Sequence, residues 1–439
     1  MKSRYLISFI VLALIAVLGL FTPQQFTIGD QVGLDKADIA WMLTASGLVL
    51  LMTPGLSFFY GGMVSKKNII STMLQSFIAL GVITLLFVIV GFSLCFGDSY
   101  HGLIGNPFQY AFFQNVGFAI EPKFATTIPL ILFAIFQLKF AIITPALITG
   151  SFAERVKFNA YLIFICLFSL FIYCPLAHWT WHPDGFLRQW GVLDFAGGTV
   201  VHMSAGYAAL AGAMFLGPRT SFGDSKHTEP ANIPFVILGT GMLWFGWFGF
   251  NAGSSLGANL LAIQAFATTI VASATAMMGW IFFDAARGKK ISAMGACIGA
   301  VVGLVAITPA AGFVTIPQSI FIGFISAVIS NLAVRAKNKS NLDDTLDVFP
   351  CHGLGGISGM LLTGIFAKEV GLFYGQTHTF LYHLLALLIV SVYTFVGSYI
   401  LYFITDKIVS LRVSVEEENF GLDQSQHGES YKLKKIVGQ

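Results

Sequence analysis

The stretch Asp194-Phe-Ala-Gly-Gly-Thr-Val-Val-His202-Met-Ser-Ala-Gly206 holds a histidine inside an apolar run. A second stretch, Asp347-Val-Phe-Pro-Cys-His352-Gly-Leu-Gly-Gly356, repeats this arrangement. An ionisable ring in hydrocarbon costs free energy unless it meets a polar partner or a wet cavity, so by default it marks a substrate or proton path. For either residue alone, a core histidine bonded to a backbone carbonyl is the alternative. Two matched stretches favour the path.

The apolar character extends along most of the chain. Of its 439 residues, 56% are hydrophobic and 10% are charged, which excludes an ordinary soluble domain. A bilayer is crossed by about 20 helical residues, and apolar runs of that length recur from Ile39 to Thr405. The sequence therefore predicts an all-α polytopic membrane protein. We expect eleven transmembrane helices, at residues 39–60, 69–96, 125–152, 158–177, 194–216, 232–254, 260–284, 291–308, 316–334, 350–370 and 378–405.

Basic residues are divided unevenly between the loops. Alternate loops carry twelve of them: Lys66, Lys67, Arg155, Lys157, Arg219, Lys226, Arg287, Lys289, Lys290, Arg335, Lys337 and Lys339. The other loops carry only three: Lys123, Arg188 and Lys368. Because basic loops remain on the cytoplasmic side of a membrane, we predict the first set to be cytoplasmic, in a protein of the cell inner membrane. The tail, residues 407–439, is predicted cytoplasmic as well and carries Arg412, Lys432, Lys434 and Lys435.

The first 22 residues form a separate segment. Lys2 and Arg4 precede a short apolar run from Leu6 to Phe21. This pattern is typical of a signal peptide, and translocation of the following segment would place the start of the first membrane helix outside. An uncleaved twelfth helix is the alternative, because no clear Ala-x-Ala cleavage site is present.

Several kinds of site are not expected. The cysteines lie almost wholly in apolar runs without a C-x-x-C pair, which argues against a disulfide framework or a metal site. No Walker loop and no helix-opening G-x-G-x-x-G is present, which argues against direct use of nucleotides. We expect no cofactor, no metal and no nucleic-acid partner.

Eleven helices divide into five, five and one. With an odd number in each half, the second five would run inverted relative to the first, as in transporters that build a pore on a pseudo-two-fold axis. His202 falls in the fifth helix and His352 in the tenth, so an inverted repeat predicts that they meet near the midplane. Glycine-rich stretches in helices one and six, residues 54–62 and 247–253, would allow close backbone approach.

Five motifs together resemble the ammonium transporter family, the Amt, methylammonium permease and Rh group. The motifs are residues 194–202, Trp247-Phe-Gly-Phe-Asn-Ala-Gly-Ser254, Gly150-Ser-Phe-Ala-Glu-Arg155, residues 347–353 and Gly421-Leu-Asp-Gln-Ser-Gln-His-Gly428. The resemblance runs from about Ala40 to Tyr431. It implies a homotrimer of eleven-helix protomers, each with a narrow pore for ammonium or methylammonium within residues 39–406. It implies a transporter rather than an enzyme.

The resemblance also assigns roles along that pore. Trp181, Phe140 and Ser254 match an outer ammonium site. Phe140 and Phe250 match paired gate rings, with Phe136 on the same helix face. Aromatic faces attract a cation by roughly 0.5–2 kcal/mol, and the Ser254 hydroxyl would accept a hydrogen bond. Plain core packing is the alternative for the phenylalanines, and a belt tryptophan at a membrane interface is the alternative for Trp181.

Below the gate, His202 and His352 would form a twin-histidine pair. An unpaired ammonium in hydrocarbon costs many kcal/mol, so the pore must compensate the charge or remove the proton. Neutral rings would leave one donor and one acceptor toward the lumen. The resemblance therefore implies recruitment of ammonium, deprotonation near the gate and passage of ammonia along the histidines.

The remaining assignments are supporting ones. Asp194 would cap the start of helix five rather than bind the cation. Asp344 and Asp347 would be structural near the inner vestibule, and Thr308 would lie at the inner mouth or cap the end of helix eight. Lys139 directly precedes the gate ring and points about 100° away from it. We expect it to face a subunit interface or a crevice.

The tail motif implies docking under neighbouring subunits and a PII-type trimeric regulator at the cytoplasmic face; a disordered end is the alternative.

Two other functions are alternatives to transport. Gly356-Ile-Ser-Gly359 resembles the nucleophile motif of rhomboid-type intramembrane proteases, with Ser358 as nucleophile, but leaves the five motifs unexplained. An ammonium sensor with little transport would be expected to carry a fused signalling domain. A transporter with a regulatory tail is favoured.

Overall fold

The computed structural model describes residues 2–22, 33–223 and 229–431. Lys226 and the tail residues Lys432, Lys434 and Lys435 lie outside the described residues. The described chain is mostly helical, and ten of its helices are long and apolar enough to cross a membrane. The prediction of a multi-pass membrane protein is confirmed.

The helices are numbered here in chain order. They are α1 (Lys2–Phe21), α2 (Lys36–Met63), α3 (Ile69–Phe96), α4 (Leu130–Ser151), α5 (Phe158–Gln189), α6 (Gly198–Leu216), α7 (Ile233–Gly253), α8 (Leu260–Ala286), α9 (Ala293–Ile307), α10 (Ile316–Lys337), α11 (Phe349–Phe366), α12 (Thr377–Ile408), α13 (Val415–Phe420) and α14 (Leu422–His427). Helix α5 is interrupted after Trp181. Most apolar side chains of α1 are exposed, so this helix is not part of the packed core.

The eleven predicted segments correspond to α2 through α12. The eighth segment forms α9, which has only 15 residues. Its glycines allow the backbone of α8 to approach closely, since a Cβ at Gly303 would lie 2.5 Å from the carbonyl oxygen of Ala272. A short hairpin lies in the loop that follows α3 and was not predicted. Its two antiparallel strands, Ser99–Tyr100 and Ile104–Gly105, have two residues each.

Helices α2 and α7 pack along each other at glycines, some inside and some outside the glycine-rich stretches that the sequence marks. A Cβ at Gly239 would lie 2.3 Å from the backbone nitrogen of Phe59. A Cβ at Gly249 would lie 2.6 Å from the carbonyl oxygen of Ala45. Side chains at these positions would force the helices apart, so the glycines set the distance between α2 and α7.

Helices α6 and α11 begin in the same unusual way. Each opens with a π-helical turn, Gly198–Met203 and Phe349–Gly353, and each turn carries one of the two histidines. An aspartate lies eight residues before each histidine, at 194 and 344, and accepts backbone hydrogen bonds from its turn. The helices meet there, because a Cβ at Gly206 would lie 2.3 Å from the Cα of Gly353.

The loops after α2, α4, α6 and α10 gather at one end of the helices, which we call the basic face. Arg219 joins three of them: its Nη1 lies 2.8 Å from Glu154 Oε2, and its Nε lies 2.8 Å from Asp343 Oδ2. Burial alone would raise the pKa of both carboxyl groups, but pairing with Arg219 holds each pKa below its usual value. Glu154 also accepts from the backbone N–H of Ser65.

Candidate functional site

A vestibule opens at the end of the helices opposite the basic face. Its volume is about 680 Å³. Aromatic side chains supply much of its wall, and two exposed basic side chains, Lys123 and Arg188, lie at its rim. Its lining residues are Phe96, Lys123, Phe124, Phe133, Gln137, Phe140, Trp181, Pro183, Arg188, Gly191, Val192, Leu193, Asp194, Phe195, Ser254, Ser255, Leu256, Leu261 and Phe313.

The vestibule brings together the three residues predicted for the outer site. The rings of Trp181 and Phe140 have centroids 5.5 Å apart with planes at 78°. The indole N–H of Trp181 donates to the carbonyl oxygen of Asp194 at 3.2 Å. Ser254 Oγ donates to the carbonyl oxygen of Phe250 at 2.8 Å, which leaves its lone pairs to accept from a ligand. The site therefore offers two aromatic surfaces and one acceptor.

The predicted gate residues close the path below the vestibule. The ring centroids of Phe140 and Phe250 lie 4.3 Å apart, and both side chains are fully buried. Phe136 lies one helical turn before Phe140 on α4, and the centroids of their rings are 5.0 Å apart. Phe140 lines the vestibule, whereas Phe250 lines a small cavity that also contains both histidines. The two rings thus separate the vestibule from the histidine pair.

His202 and His352 meet, as the inverted repeat predicts. Their Nδ1 atoms lie 3.3 Å apart, and the rings are nearly parallel. A hydrogen bond between two imidazole nitrogens requires one to carry the proton and the other to accept it. Two neutral rings paired in this way present one Nε2 acceptor and one Nε2–H donor. His202 Nε2 is buried and has no hydrogen-bond partner among the described residues.

Trp247 lines the small cavity of the two histidines. Sequence reasoning gave it no role, although it lies in a quoted motif. Its ring stacks on His202 with centroids 5.4 Å apart and planes at 17°. Its indole N–H donates to Thr308 Oγ1 at 2.9 Å. Thr308 ends α9 at the vestibule side and is followed by Pro309, whose carbonyl accepts from Phe195 in the vestibule wall. Of the two alternatives given for Thr308, the cap at the end of the eighth predicted helix agrees with the structure, and the inner mouth does not. From this position the residue holds the Trp247 ring beside His202.

The model of the Ammonium Transporter Family matches residues 40–432. The chain belongs to this family. An ammonium transporter of Aquifex aeolicus is 46% identical over 422 residues, which cover 94% of this chain and 97% of that one. The crystal structure of Saccharomyces cerevisiae Mep2 matches with a TM-score of 0.85 at 34% identity and covers 93% of this chain and 94% of that one. A solved "Sensor Amt Protein" matches with a TM-score of 0.82 at 31% identity, covering 89% and 98%. The resemblance read from the motifs is confirmed.

In this transporter chain, Asp194 is occupied by its own backbone. Its carboxylate accepts hydrogen bonds from the N–H groups of Gly197, Gly198 and Thr199 and from the Thr199 hydroxyl. The adjacent Leu193 N–H donates to His383 Nε2 at 2.9 Å, and His383 Nδ1 contacts the carbonyl oxygen of Met360. His383 ties the loop of Asp194 to α11 and α12. The sequence offered no signal for it beyond a polar residue inside an apolar run.

Asp344 repeats this arrangement at the basic face. Its carboxylate accepts from the N–H groups of Val348 and Phe349, at the start of the π-helical turn that carries His352. Burial raises its pKa to about 6, against the attraction of Lys337. Asp347 lies beside it, with Oδ1 2.7 Å from Lys337 Nζ. Asp344 therefore holds the start of the turn, and Asp347 pairs with the last turn of α10. A purely structural role for both aspartates stays a prediction.

Lys139 lies half-buried on α4, on the face opposite to the packed one. No acceptor for its ammonium group lies among the described residues, and its neighbour on that face, Ile135, is also partly exposed.

Ser358, the nucleophile of the protease alternative, donates to the carbonyl oxygen of Leu354. A serine protease would also need a general base, for which His202 on another helix is a candidate, but His202 pairs with His352.

The tail packs against the rest of its own chain up to residue 431. Asp423 accepts from the N–H groups of Ile70 and Ser71 at 3.1 and 2.8 Å and thereby caps α3. Glu418 is buried and accepts from the Thr220 N–H and from Arg412. The disordered alternative is wrong for this part of the tail. Docking under a neighbouring subunit stays a prediction.

Proposed function

We propose that this protein carries ammonium across the membrane through a pore within each protomer. The observation that carries the proposal is the 3.3 Å contact between His202 and His352, buried directly behind the ring pair of Phe140 and Phe250. A buried polar pair aligned with an aromatic vestibule fits a substrate that arrives as a cation and continues as a small neutral molecule. The family match supports the same substrate.

Recruitment would take place in the vestibule. Trp181 and Phe140 offer ring surfaces that attract a cation by roughly 0.5–2 kcal/mol, more when the site is desolvated. Ser254 accepts one of the four N–H donors of ammonium. Because these attractions distinguish ammonium only weakly from potassium, discrimination must occur deeper in the pore. Asp194 contributes by fixing the loop and not by binding the ion, since its oxygens are already hydrogen-bonded.

The closed rings make deprotonation the favoured route past the gate. A charged ammonium among buried phenyl rings would lose its hydration without compensation. Ammonia has no charge, and it has both a lone pair and N–H groups. The histidine pair presents a donor and an acceptor along the next stretch, which matches ammonia in both respects. Stacking against Trp247 would hold the His202 ring in the orientation in which it can hydrogen-bond to ammonia.

The wider architecture belongs to the proposal as well. Helices α2 to α12 are eleven membrane spans in two inverted halves of five plus one. The matched aspartate and histidine spacings and the contact of α6 with α11 support this arrangement. The protein is a homotrimer of the inner membrane, with the basic face and the tail in the cytoplasm because that face gathers the basic loops. A PII-type regulator would act at the same face.

Reconstituted liposomes test the function. Addition of ammonium should produce a current, or labelled methylammonium should be taken up. Potassium should give neither current nor uptake. The variant His202→Ala with His352→Ala should lose uptake or its selectivity, because the lumen loses its polar midplane groups. His378→Ala changes an exposed histidine outside the pore and serves as the control. Uptake by the double variant at wild-type rate and selectivity would contradict the mechanism.

Sensing is the second candidate, because a solved "Sensor Amt Protein" covers 89% of this chain. A sensor would bind ammonium in the vestibule with little flux. Wild-type protein that binds methylammonium in detergent but gives neither current nor uptake in liposomes would favour sensing over transport.

A further inference from the structure

A second polar cavity lies away from the pore, between the ends of α8, α9 and α10 at the basic face. Its volume is about 180 Å³, room for several water molecules or one small organic group. Asp284, Lys289, Ser292, Asn331 and Arg335 are among its lining residues. None of them takes part in the path described above.

One wall of this cavity offers acceptors. Asp284 Oδ1 accepts from Asn331 Nδ2 at 3.3 Å and lies 3.1 Å from Lys289 Nζ. Asn331 is buried, and its own Oδ1 has no hydrogen-bond partner among the described residues. A buried acceptor without a partner costs about 1–3 kcal/mol. A ligand that donates N–H groups would remove this cost, and a carboxylate next to the acceptor selects a cationic donor.

The other wall suits an anion. Helix α9 begins here, and Ser292 Oγ accepts from the Gly295 N–H. A helix leaves its first N–H groups without a partner inside the helix, so the others of this first turn can donate to an anion. Lys289 is half-exposed, and Arg335 has no carboxylate partner among the described residues. Guanidinium and helix N-terminus together match the geometry of phosphate oxygens.

We propose that this cavity binds a small zwitterion that carries a primary ammonium and a phosphate, the chemistry of phosphoethanolamine. The ammonium would donate to Asp284 and Asn331, and the phosphate would lie against the start of α9 and Arg335. Three apolar helices end or begin at this level, which is where phospholipid headgroups lie. An inner-leaflet lipid with an ethanolamine headgroup and a free phosphoethanolamine are the two sources of this chemistry.

Binding to the purified full-length protein in detergent tests the proposal. Native mass spectrometry would follow titration with short-chain phosphatidylethanolamine, phosphatidylcholine and phosphatidylglycerol. Phosphatidylcholine has a cationic headgroup without N–H donors, and phosphatidylglycerol has no cation. We expect phosphatidylethanolamine to bind at least tenfold more tightly than phosphatidylcholine. Equal affinity for these two lipids would overturn the proposal, as would no binding of phosphatidylethanolamine.

Variants separate this site from general attraction of lipids to a basic surface. Asp284→Asn should weaken the binding of phosphatidylethanolamine at least tenfold, because the ammonium of the lipid loses its acceptor. The same variant should strengthen the binding of phosphatidylglycerol, because a charge that repels its phosphate is removed. Arg335→Gln should weaken both. Glu369→Gln, an exposed carboxylate at the opposite face, should change neither. Affinity for phosphatidylethanolamine that stays within twofold of wild type in Asp284→Asn and Arg335→Gln would sink the assignment.

A final arm identifies the source. Free O-phosphoethanolamine would be added to delipidated protein while the Tm is recorded. A rise in Tm that is absent in Asp284→Asn shows that the headgroup alone suffices, so a solute can occupy the site. Binding of the lipid without any effect of the free compound assigns the site to the bilayer. Both results support the proposed chemistry, and neither depends on transport.

Discussion

At the residue scale, Lys139 carries a charge for which no described residue of its own chain provides an acceptor. An ammonium group inside a membrane helix needs a partner or a wet cavity. Because Lys139 lies on the outward face of α4 and is half-buried, we expect a neighbouring subunit to supply the acceptor. Lys139→Met should therefore lower the temperature at which the proposed trimer dissociates, measured by native mass spectrometry on heating.

Ile135→Met provides the control for this variant. Ile135 lies one helical turn before Lys139 on the same partly exposed face, so it alters packing there without removing a charge. Equal trimer stability of Lys139→Met and Ile135→Met would show that the lysine reaches the headgroup region instead. Selectivity of uptake should be unchanged in both, since neither side chain lines the vestibule.

Asp344 predicts a pH dependence of stability. Burial raises its pKa to about 6 in the folded protein, whereas an unfolded aspartate titrates near about 3.9. The stabilising contribution is therefore fully present below about 3.9 and is lost as the pH rises through about 6. Between pH 5 and pH 7 the folded state should lose about 1 kcal/mol through this group.

The measurement is the difference in Tm between pH 5 and pH 7 in detergent. Asp344→Asn cannot titrate, so its Tm should fall less than that of the wild type over this range. Asp98→Asn replaces an exposed carboxylate and should behave as the wild type does. Parallel pH profiles of wild type and Asp344→Asn would contradict a raised pKa.

At the element scale, hydrophobic runs located the membrane helices because burial in lipid depends on composition alone. The π-helical turns of α6 and α11 could not be predicted in this way, since they depend on which N–H groups Asp194 and Asp344 capture. The inner-mouth alternative for Thr308 was wrong because a role was transferred by residue type, whereas its position follows from the direction in which α9 runs.

Two glutamates of the tail should respond differently to substitution. Glu418 is buried and joins Thr220 to Arg412, whereas Glu416 is fully exposed. Glu418→Gln should release α13 and α14 from the basic face and speed proteolysis of the tail, because a buried charge partner of Arg412 is lost. Transport should fall as α3 loses its cap from Asp423.

Glu416→Gln is the matched control two residues away. It should leave both proteolysis and uptake at wild-type levels. Deletion from Glu416 onward extends the test: uptake should fall, and any nucleotide-dependent binding of a PII-type protein should disappear while the trimer persists. Wild-type uptake by the truncated protein would show that the docked tail does not influence the pore.

At the scale of the whole molecule, the family resemblance predicted which residues lie together in the vestibule, and the inverted repeat predicted that the two histidines meet. The sequence did not predict the supporting contacts. His383 reaches the loop of Asp194 from another helix, and Trp247 is held by Thr308 across α7 and α9. Such contacts join segments far apart in the chain, and one sequence carries no signal of their distance.

The distribution of charge between the two ends gives a last prediction. Arg188 and Lys123 line the vestibule that is proposed to gather a cation, and like charges repel over the Debye length, about 30 Å at 0.01 M salt and about 8 Å at 0.15 M. Arg188→Gln should therefore lower the ammonium concentration that gives half-maximal uptake at low salt, with a smaller effect at physiological salt. Lys407→Gln, at the basic face, should have no such effect. Identical salt dependence of the wild type and Arg188→Gln would mean that ammonium approaches the outer site without sensing the charge on the rim.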